Sequence, residues 1–192
     1  MRGRIEVRDG FLVLLAALWC VDQTGVLPLF LLAAAVHEAA HLLVLYLAGG
    51  RAQRLTLTAC GAVLRCTLPE GRCARAAVCL AGPAASFALT ALAGALGWYR
   101  LGGASALLGV FNLLPMPPLD GGMALLHLAG GHGTAALQAL AALTALGLLA
   151  AGSWLFLHGG GCWLLLIGAL AAAQNAKSLA SAPAPVYDKH KI

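Results

Sequence analysis

Five consecutive residues, His37-Glu38-Ala39-Ala40-His41, carry the clearest chemical signal in the chain. On an α-helix, residues four apart share one face, so His37 and His41 can each aim a ring nitrogen at a single ion. Glu38 lies about 100° further round the helix. There it can reach a water at the ion without being a ligand itself. This is the HExxH arrangement of zinc proteases, and its chance occurrence in a chain of this length and composition is about 0.003. The plainer alternative is a pair of histidines hydrogen-bonding between packed helices. Two histidines do not complete a catalytic zinc site, which takes three protein ligands and keeps one position open for water. Asp120 is the natural third ligand. The stretch around it, Asn112-Leu113-Leu114-Pro115-Met116-Pro117-Pro118-Leu119-Asp120-Gly121-Gly122, sets three prolines and two glycines in an apolar run. Proline breaks a helix, and the break can turn Asp120 toward the ion and open room for water. The alternative there is a simple kink that leaves Asp120 at the membrane interface.

These residues must be positioned by a chain that is 61% apolar and 10% charged over 192 residues. A typical soluble domain carries about 25% charged residues. Nineteen charges are too few for a water-soluble surface of this size. The composition excludes an ordinary soluble enzyme, a disordered chain and a nucleic-acid-binding domain, and points to an all-α polytopic membrane protein. Apolar runs fall at about 11–21, 26–48, 74–98, 104–128, 134–151 and 153–173. At about 20 residues per crossing they predict six transmembrane helices in one domain over 1–176. A polar cytoplasmic tail follows over 177–192. The breaks between runs are expected at 22–25, 49–51, 100–103, 130–133 and 158–161. The first run is read as a transmembrane helix, because no small-x-small cleavage site follows it and Trp19 is too bulky to precede a lipid-modified cysteine.

With the N-terminus inside and six crossings, eleven basic residues fall on the cytoplasmic side and Arg100 alone falls outside. The net charge of +5 is therefore topological. It places both termini in the cytoplasm of a multi-pass protein, most naturally in a bacterial cytoplasmic membrane. Residues 51–68 differ in texture. Leu55-Thr56-Leu57-Thr58 alternates, Ala62–Leu68 is rich in β-formers, and Gly61 lies between them, predicting a short β-hairpin at the membrane surface. The six cysteines lack zinc-site pairing and are expected as mostly buried free thiols. His127 is expected at the inner interface, His132 and His158 in solvated loops, and Trp19, Trp98, Trp154 and Trp163 near span ends.

Ionisable groups inside a bilayer are costly and tend to be functional. Five of the seven acids lie in loops or tails, leaving Glu38 and Asp120 within apolar runs. No Lys or Arg in their own segments neutralises them, and the missing positive charge points to a metal ion.

HExxH in one span with N-x2-P-x-P-x-L-D-G in a later one resembles the site-2 protease family of intramembrane zinc proteases. The resemblance covers roughly residues 10–175. It implies one Zn2+ per chain held by His37, His41 and Asp120, with Glu38 as the catalytic glutamate. It also implies supporting roles at the site or toward substrate for Asn112, Pro115, Pro117 and Gly121. Ala81-Gly82-Pro83 matches the family's glycine-proline element, implying the same for Gly82 and Pro83, while Ser86 stands where asparagine is common. The short first span and the Asp120 motif most resemble the sporulation-type branch, whose members release a membrane-tethered sigma-factor precursor. The roughly 70 residues after Asp120 leave no room for that branch's C-terminal CBS domain, nor is there space for the PDZ domain of another branch.

The expected activity is hydrolysis of a peptide bond in or near a transmembrane segment of a membrane-tethered protein. The bilayer is the other expected partner, with no nucleic acid. Such a segment must unwind before attack, and the 55–68 hairpin is placed either to take it by strand addition or to serve as a plain surface loop. Two rivals remain at this level. One is a metal-binding membrane protein without protease activity, such as a transporter or inactive scaffold. The other is a different zinc protease family, which would need a later intramembrane glutamate that the sequence lacks.

Overall fold

The computed structural model describes residues 4–58, 61–130, 134–159, 164–166, 168–169 and 172–173. The chain opens with a short strand, β1 (Arg4–Val7), and continues into α1 (Asp9–Val21) and α2 (Leu27–Leu47). Strands β2 (Arg51–Thr58) and β3 (Gly61–Thr67) follow, then α3 (Arg72–Ala95), α4 (Tyr99–Asn112), α5 (Asp120–Ala129) and α6 (Thr134–Leu157). Three of these helices, α2, α3 and α6, are long and apolar enough to cross a membrane among the described residues. The architecture is that of a mainly helical membrane protein with one small sheet.

Several sequence boundaries shift, each for a local reason. The run at 104–128 is not one helix: α4 begins earlier, at Tyr99, and residues 113–119 separate it from α5. The break expected at 100–103 instead lies at Leu96–Trp98, where Gly97 has φ +76°. Gly102 is inside α4, facing the Thr90 carbonyl and Ala93 of α3. The boundary expected between 151 and 153 is also absent, since α6 runs through it to Leu157. Gly152 marks a close approach, because a Cβ there would meet the backbone at Leu164–Leu165. Gly168 likewise meets the backbone at Leu148–Leu149, so the helical pieces after the turn at 158–159 run back along α6. Most of the expected last span, the 177–192 tail, His132, Trp163, Cys60 and Cys162 lie outside the described residues.

The hairpin is present as β2 and β3, antiparallel, with Arg54 opposite Arg65 and a register irregularity between Ala52 and Arg54. An additional strand, β1, adds parallel to β2 and completes a three-stranded sheet in the order β1-β2-β3. Four residues are too few to show a strand period, and β1 is recognised only by its partner.

Helix α3 is the hub, packing against α2, α4 and α5. The buried residues along α2, α3 and α4 are mostly small: Ala33, Ala76, Gly82, Ser86, Ala93 and Ser105 among them. In lipid, burial gains no hydrophobic transfer energy between helices, so close backbone approach and dispersion hold them together. Ser86 is fully buried, and its carbonyl accepts from the Ser105 hydroxyl at 2.9 Å and the Thr90 hydroxyl at 2.8 Å. The 113–119 turn is held from the other side, with Met116 buried against Ala141 and Ala145 of α6.

The ends of the bundle are chemically distinct. At one end Arg100 donates to the Thr24 carbonyl at 2.6 Å, tying the α1–α2 loop to the start of α4. In that loop the Asp22 carboxylate accepts from the backbone N–H groups of Leu27, Val26 and Thr24 and from the Thr24 hydroxyl. The Leu27 N–H bond leads in holding the Asp22 pKa down at about 2. Trp19, Trp98 and Trp154 lie toward this end, all well exposed. The opposite end carries the sheet, the start of α3 and the end of α5, where the Arg72 side chain lies against Gly130. Most of the arginines are at this sheet end. The four cysteines described are free thiols, but Cys20 and Cys73 are exposed and Cys66 and Cys79 half-buried. The expectation of buried thiols is not met at Cys20 and Cys73, and is met only in part at Cys66 and Cys79.

Candidate metal centre

His37 is the middle residue of α2, and His41 follows one turn later. Both point into the packed side of the helix, at 3% and 8% exposure. Asp120 is the first residue of α5. The helix dipole favours a carboxylate at that position, and the turn at 113–119 carries the chain back toward α2. His37 Nε2 lies 3.0 Å from Asp120 Oδ2, His41 Nε2 lies 3.2 Å from the same oxygen, and the two Nε2 atoms are 3.2 Å apart. Among the described residues, these three are the group close enough to hold a metal.

The outward ring nitrogens are also held. His41 Nδ1–H donates to the Val78 carbonyl at 2.7 Å. A carbonyl only accepts, so this bond fixes the tautomer of the neutral ring and leaves Nε2 as a lone pair. His37 Nδ1 lies 2.9 Å from the Ser86 hydroxyl. With the Nδ1–H donating there, its Nε2 is a lone pair too. Two imidazole lone pairs and a carboxylate then face one another at hydrogen-bond distance, which is unfavourable unless a cation or protons lie between them. Ligand atoms at about 2.0–2.1 Å from zinc in a tetrahedral arrangement sit roughly 3.3 Å apart. The observed separations approach that spacing, and the donor set of two imidazoles and a carboxylate suits Zn2+. Anchored Nδ1 groups are the usual support of histidine ligands.

Helix α3 can approach this closely because residue 82 is glycine. A Cβ on Gly82 would fall on the Nε2 atoms of both His37 and His41. Pro83, fully buried beside it, lacks the N–H that would bond to the Cys79 carbonyl one turn earlier, yet α3 runs on unbroken to Ala95. Gly121 and Gly122 act similarly at Asp120. A Cβ on either would strike the backbone of residues 113–117, so the turn folds over the first residues of α5 only because both lack side chains. Pro115 and Pro117 lie half-buried within that turn.

Glu38 is half-buried next to His37 on α2. Asn112 Nδ2 donates to the Leu108 carbonyl at 3.0 Å within its own helix, rather than to the histidine–aspartate cluster. His127 sits in the last turn of α5, two turns from Asp120 and outside the cluster. His158 is exposed and stacked on Trp154, with ring centroids 4.4 Å apart. An open apolar groove of about 410 Å³, lined by Leu29, Leu32, Trp98, Tyr99 and Arg100 among others, is at the Arg100 end and includes none of the cluster.

The roles of Val78 and Ser86 were not read from the sequence. Val78 acts through its backbone carbonyl, which leaves no side-chain signal. Ser86 had one usable sign, a hydroxyl in an apolar span one turn after the Gly82-Pro83 pair.

No protein-family model matches the sequence, and no curated protein matches it. Among solved structures, the chain is similar in fold to the Site-2 Protease from Methanocaldococcus jannaschii. The TM-score is 0.63 over 92% of this chain and 91% of that one, at 21% identity. The structural neighbour is a site-2 protease.

Proposed function

We propose that this chain is an intramembrane zinc metalloprotease of the site-2 type, cleaving a membrane-tethered protein in or near its transmembrane segment. The observation that carries the reading is the convergence of His37 Nε2, His41 Nε2 and Asp120 Oδ2 halfway along the membrane-crossing helix α2. A site-2 protease of similar fold supports it. In this reading His37, His41 and Asp120 hold one Zn2+ per chain. Zinc at such a site supplies Lewis acidity and lowers the pKa of water to about 7.

The chain's own residues do the rest. Glu38 takes the proton of the attacking water and then delivers it to the leaving amine. Val78 and Ser86 keep the histidine rings turned toward the ion, and the packed small residues of α2–α4 limit water to the site. The turn at 113–119, with Asn112 at its start, lines the approach to Asp120. Non-helical backbone at membrane depth is tolerated where it is buried in protein or borders a wet cavity. An unwound substrate segment pairs with the sheet by strand addition at β3, an edge strand.

The proposal extends to six crossings, with α1, α2 and α3 as the first three and α4 with α5 as one interrupted crossing. Both termini are cytoplasmic. The natural substrate class is a tethered regulator, such as a sigma-factor precursor.

The test uses the full chain with a tethered model substrate, comparing wild type with Glu38→Gln. The variant should keep its zinc while cleavage falls about 10²–10⁴-fold. Equal cleavage by both would remove the protease assignment.

A further inference from the structure

The cross-strand register of the sheet sets arginines side by side. Arg54 on β2 is directly opposite Arg65 on β3, and Arg4 on β1 occupies the same register position on the other side of Arg54. Opposed residues on neighbouring strands share a face, with Cβ atoms about 4.5–5.5 Å apart, and like charges placed this way are destabilising. Arg51 pairs with Thr67, two residues beyond Arg65, which returns it to the same face. Glu6 is the single acid in the three strands, and its carboxylate is engaged 3.1 Å from Arg54. Arg51 and Arg65 are exposed. The alternate face differs in chemistry: the register places Val7, Leu57, Ala52 and Cys66 on it, all without charge. The charged residues of the sheet are thus gathered on one face.

An aligned row of guanidinium groups with one acid among them is short of negative charge. The sheet is three residues past the end of α2 and four residues before the start of α3, so what it meets is the polar segment of a partner just outside the bilayer. The arginines are fixed in register across neighbouring strands, which favours an extended polypeptide of regular charge spacing over lipid. Carboxylates at alternate positions of an extended strand repeat every 6.4–6.8 Å or so, close to the step between Arg65 and the Arg51–Thr67 pair along β3.

We propose that the Arg51–Arg54–Arg65 face of the sheet binds an extended acidic segment flanking the transmembrane span of the protein this chain acts on. The identification of that partner as a substrate rests on the protease reading above. The binding surface itself does not.

The experiment uses the full chain in neutral-lipid nanodiscs. The ligands are labelled single-span proteins that share one span and differ only in the flanking segment: alternating glutamates, neutral residues or alternating lysines. Binding is measured to the Glu38→Gln variant, and cleavage by wild type is followed in parallel. The acidic flank should bind about tenfold more tightly than the neutral one at low ionic strength, with the difference lost in roughly 0.5 M salt. The double variant R54E/R65E should prefer the lysine flank. R65E alone, which leaves the Glu6–Arg54 pair intact, should lose the acidic preference, and unchanged zinc content shows that each variant is folded.

Equal binding of acidic and neutral flanks overturns the proposal, as does an acidic preference that survives R54E/R65E. It is also overturned if the variants change binding only in nanodiscs containing anionic lipid, because the face then reads lipid headgroups. Charge-dependent binding with no cleavage of any ligand would remove the protease reading and leave the surface intact. Cleavage of every flank at one rate, with equal binding, would do the reverse.

Discussion

At mid-depth, the His37–His41–Asp120 cluster gathers ionisable groups that a bilayer should exclude, and gives each histidine a fixed partner for its outer nitrogen. At the sheet end, Arg54 and Arg65 stand opposed with one acid nearby and a large part of each side chain in solvent. The first region brings two imidazoles and a carboxylate to one point, where a cation or protons would balance them. The second spreads positive charge over a face that water screens. Burial makes the difference. In the packed core a displaced donor has nothing to replace its partner, whereas an exposed arginine can exchange one anion for another. The core should therefore respond steeply to single-atom changes, and the sheet should respond mainly to charge and salt.

The largest effect is expected from Asp120→Ala. Zinc retention should be lost and cleavage should fall by about 10³-fold or more, as measured by metal content and by cleavage of the tethered substrate. Treating wild type with a zinc chelator should give the same loss, and added Zn2+ should restore activity. Cleavage that persists in Asp120→Ala would break the contrast at its strongest point.

Next comes Gly82→Ala, the addition of one methyl group. Its Cβ would collide with both histidine rings, and the packed core cannot relax away without parting α2 from α3. Zinc affinity should drop at least 100-fold, on the order of a lost ligand-supporting contact or worse. Normal affinity by competition titration would show that α2 and α3 are not in contact as described.

Much of the centre was legible in the sequence, and the reason is local. His37, Glu38 and His41 sit on one helix, where spacing dictates geometry. Asp120 was marked by being an acid in an apolar run beside three prolines. Gly82 and Pro83 entered through a family resemblance, and only the packing of α3 on α2 gives the glycine its physical role. Val78 was beyond reach because a backbone carbonyl has no residue signature. The split of the 104–128 run into α4 and α5 was half visible: the prolines announced a break, but the start of α4 at Tyr99 depends on Gly97, which the sequence reading passed over for Gly102-Gly103. Strand β1 was missed because parallel pairing joins residues about 50 positions apart, and no local pattern records that.

Two smaller predictions separate the regions further. Ser86→Ala removes the partner of His37 Nδ1 and should weaken zinc binding by about 10–100-fold. A residual effect below about twofold would mean that His37 is held by packing alone. Arg54→Ala should leave zinc affinity unchanged and cost less than about 1 kcal/mol of stability, because the Glu6–Arg54 pair is roughly 40% exposed on both sides and screened by water. Thermal melts alongside zinc titrations distinguish the two variants. A change in zinc affinity in Arg54→Ala would show that the sheet and the centre are coupled.

The central claim is that two imidazoles and one carboxylate, meeting inside the membrane, hold a zinc ion. X-ray absorption at the zinc edge, recorded on the zinc-loaded full chain, tests it most directly. One zinc per chain is expected, with nitrogen and oxygen donors at about 2.0–2.1 Å and the multiple-scattering pattern of imidazole. That spectrum should vanish in His37→Ala. Sulfur scattering near 2.3 Å, or a full complement of zinc in His37→Ala, would contradict the account.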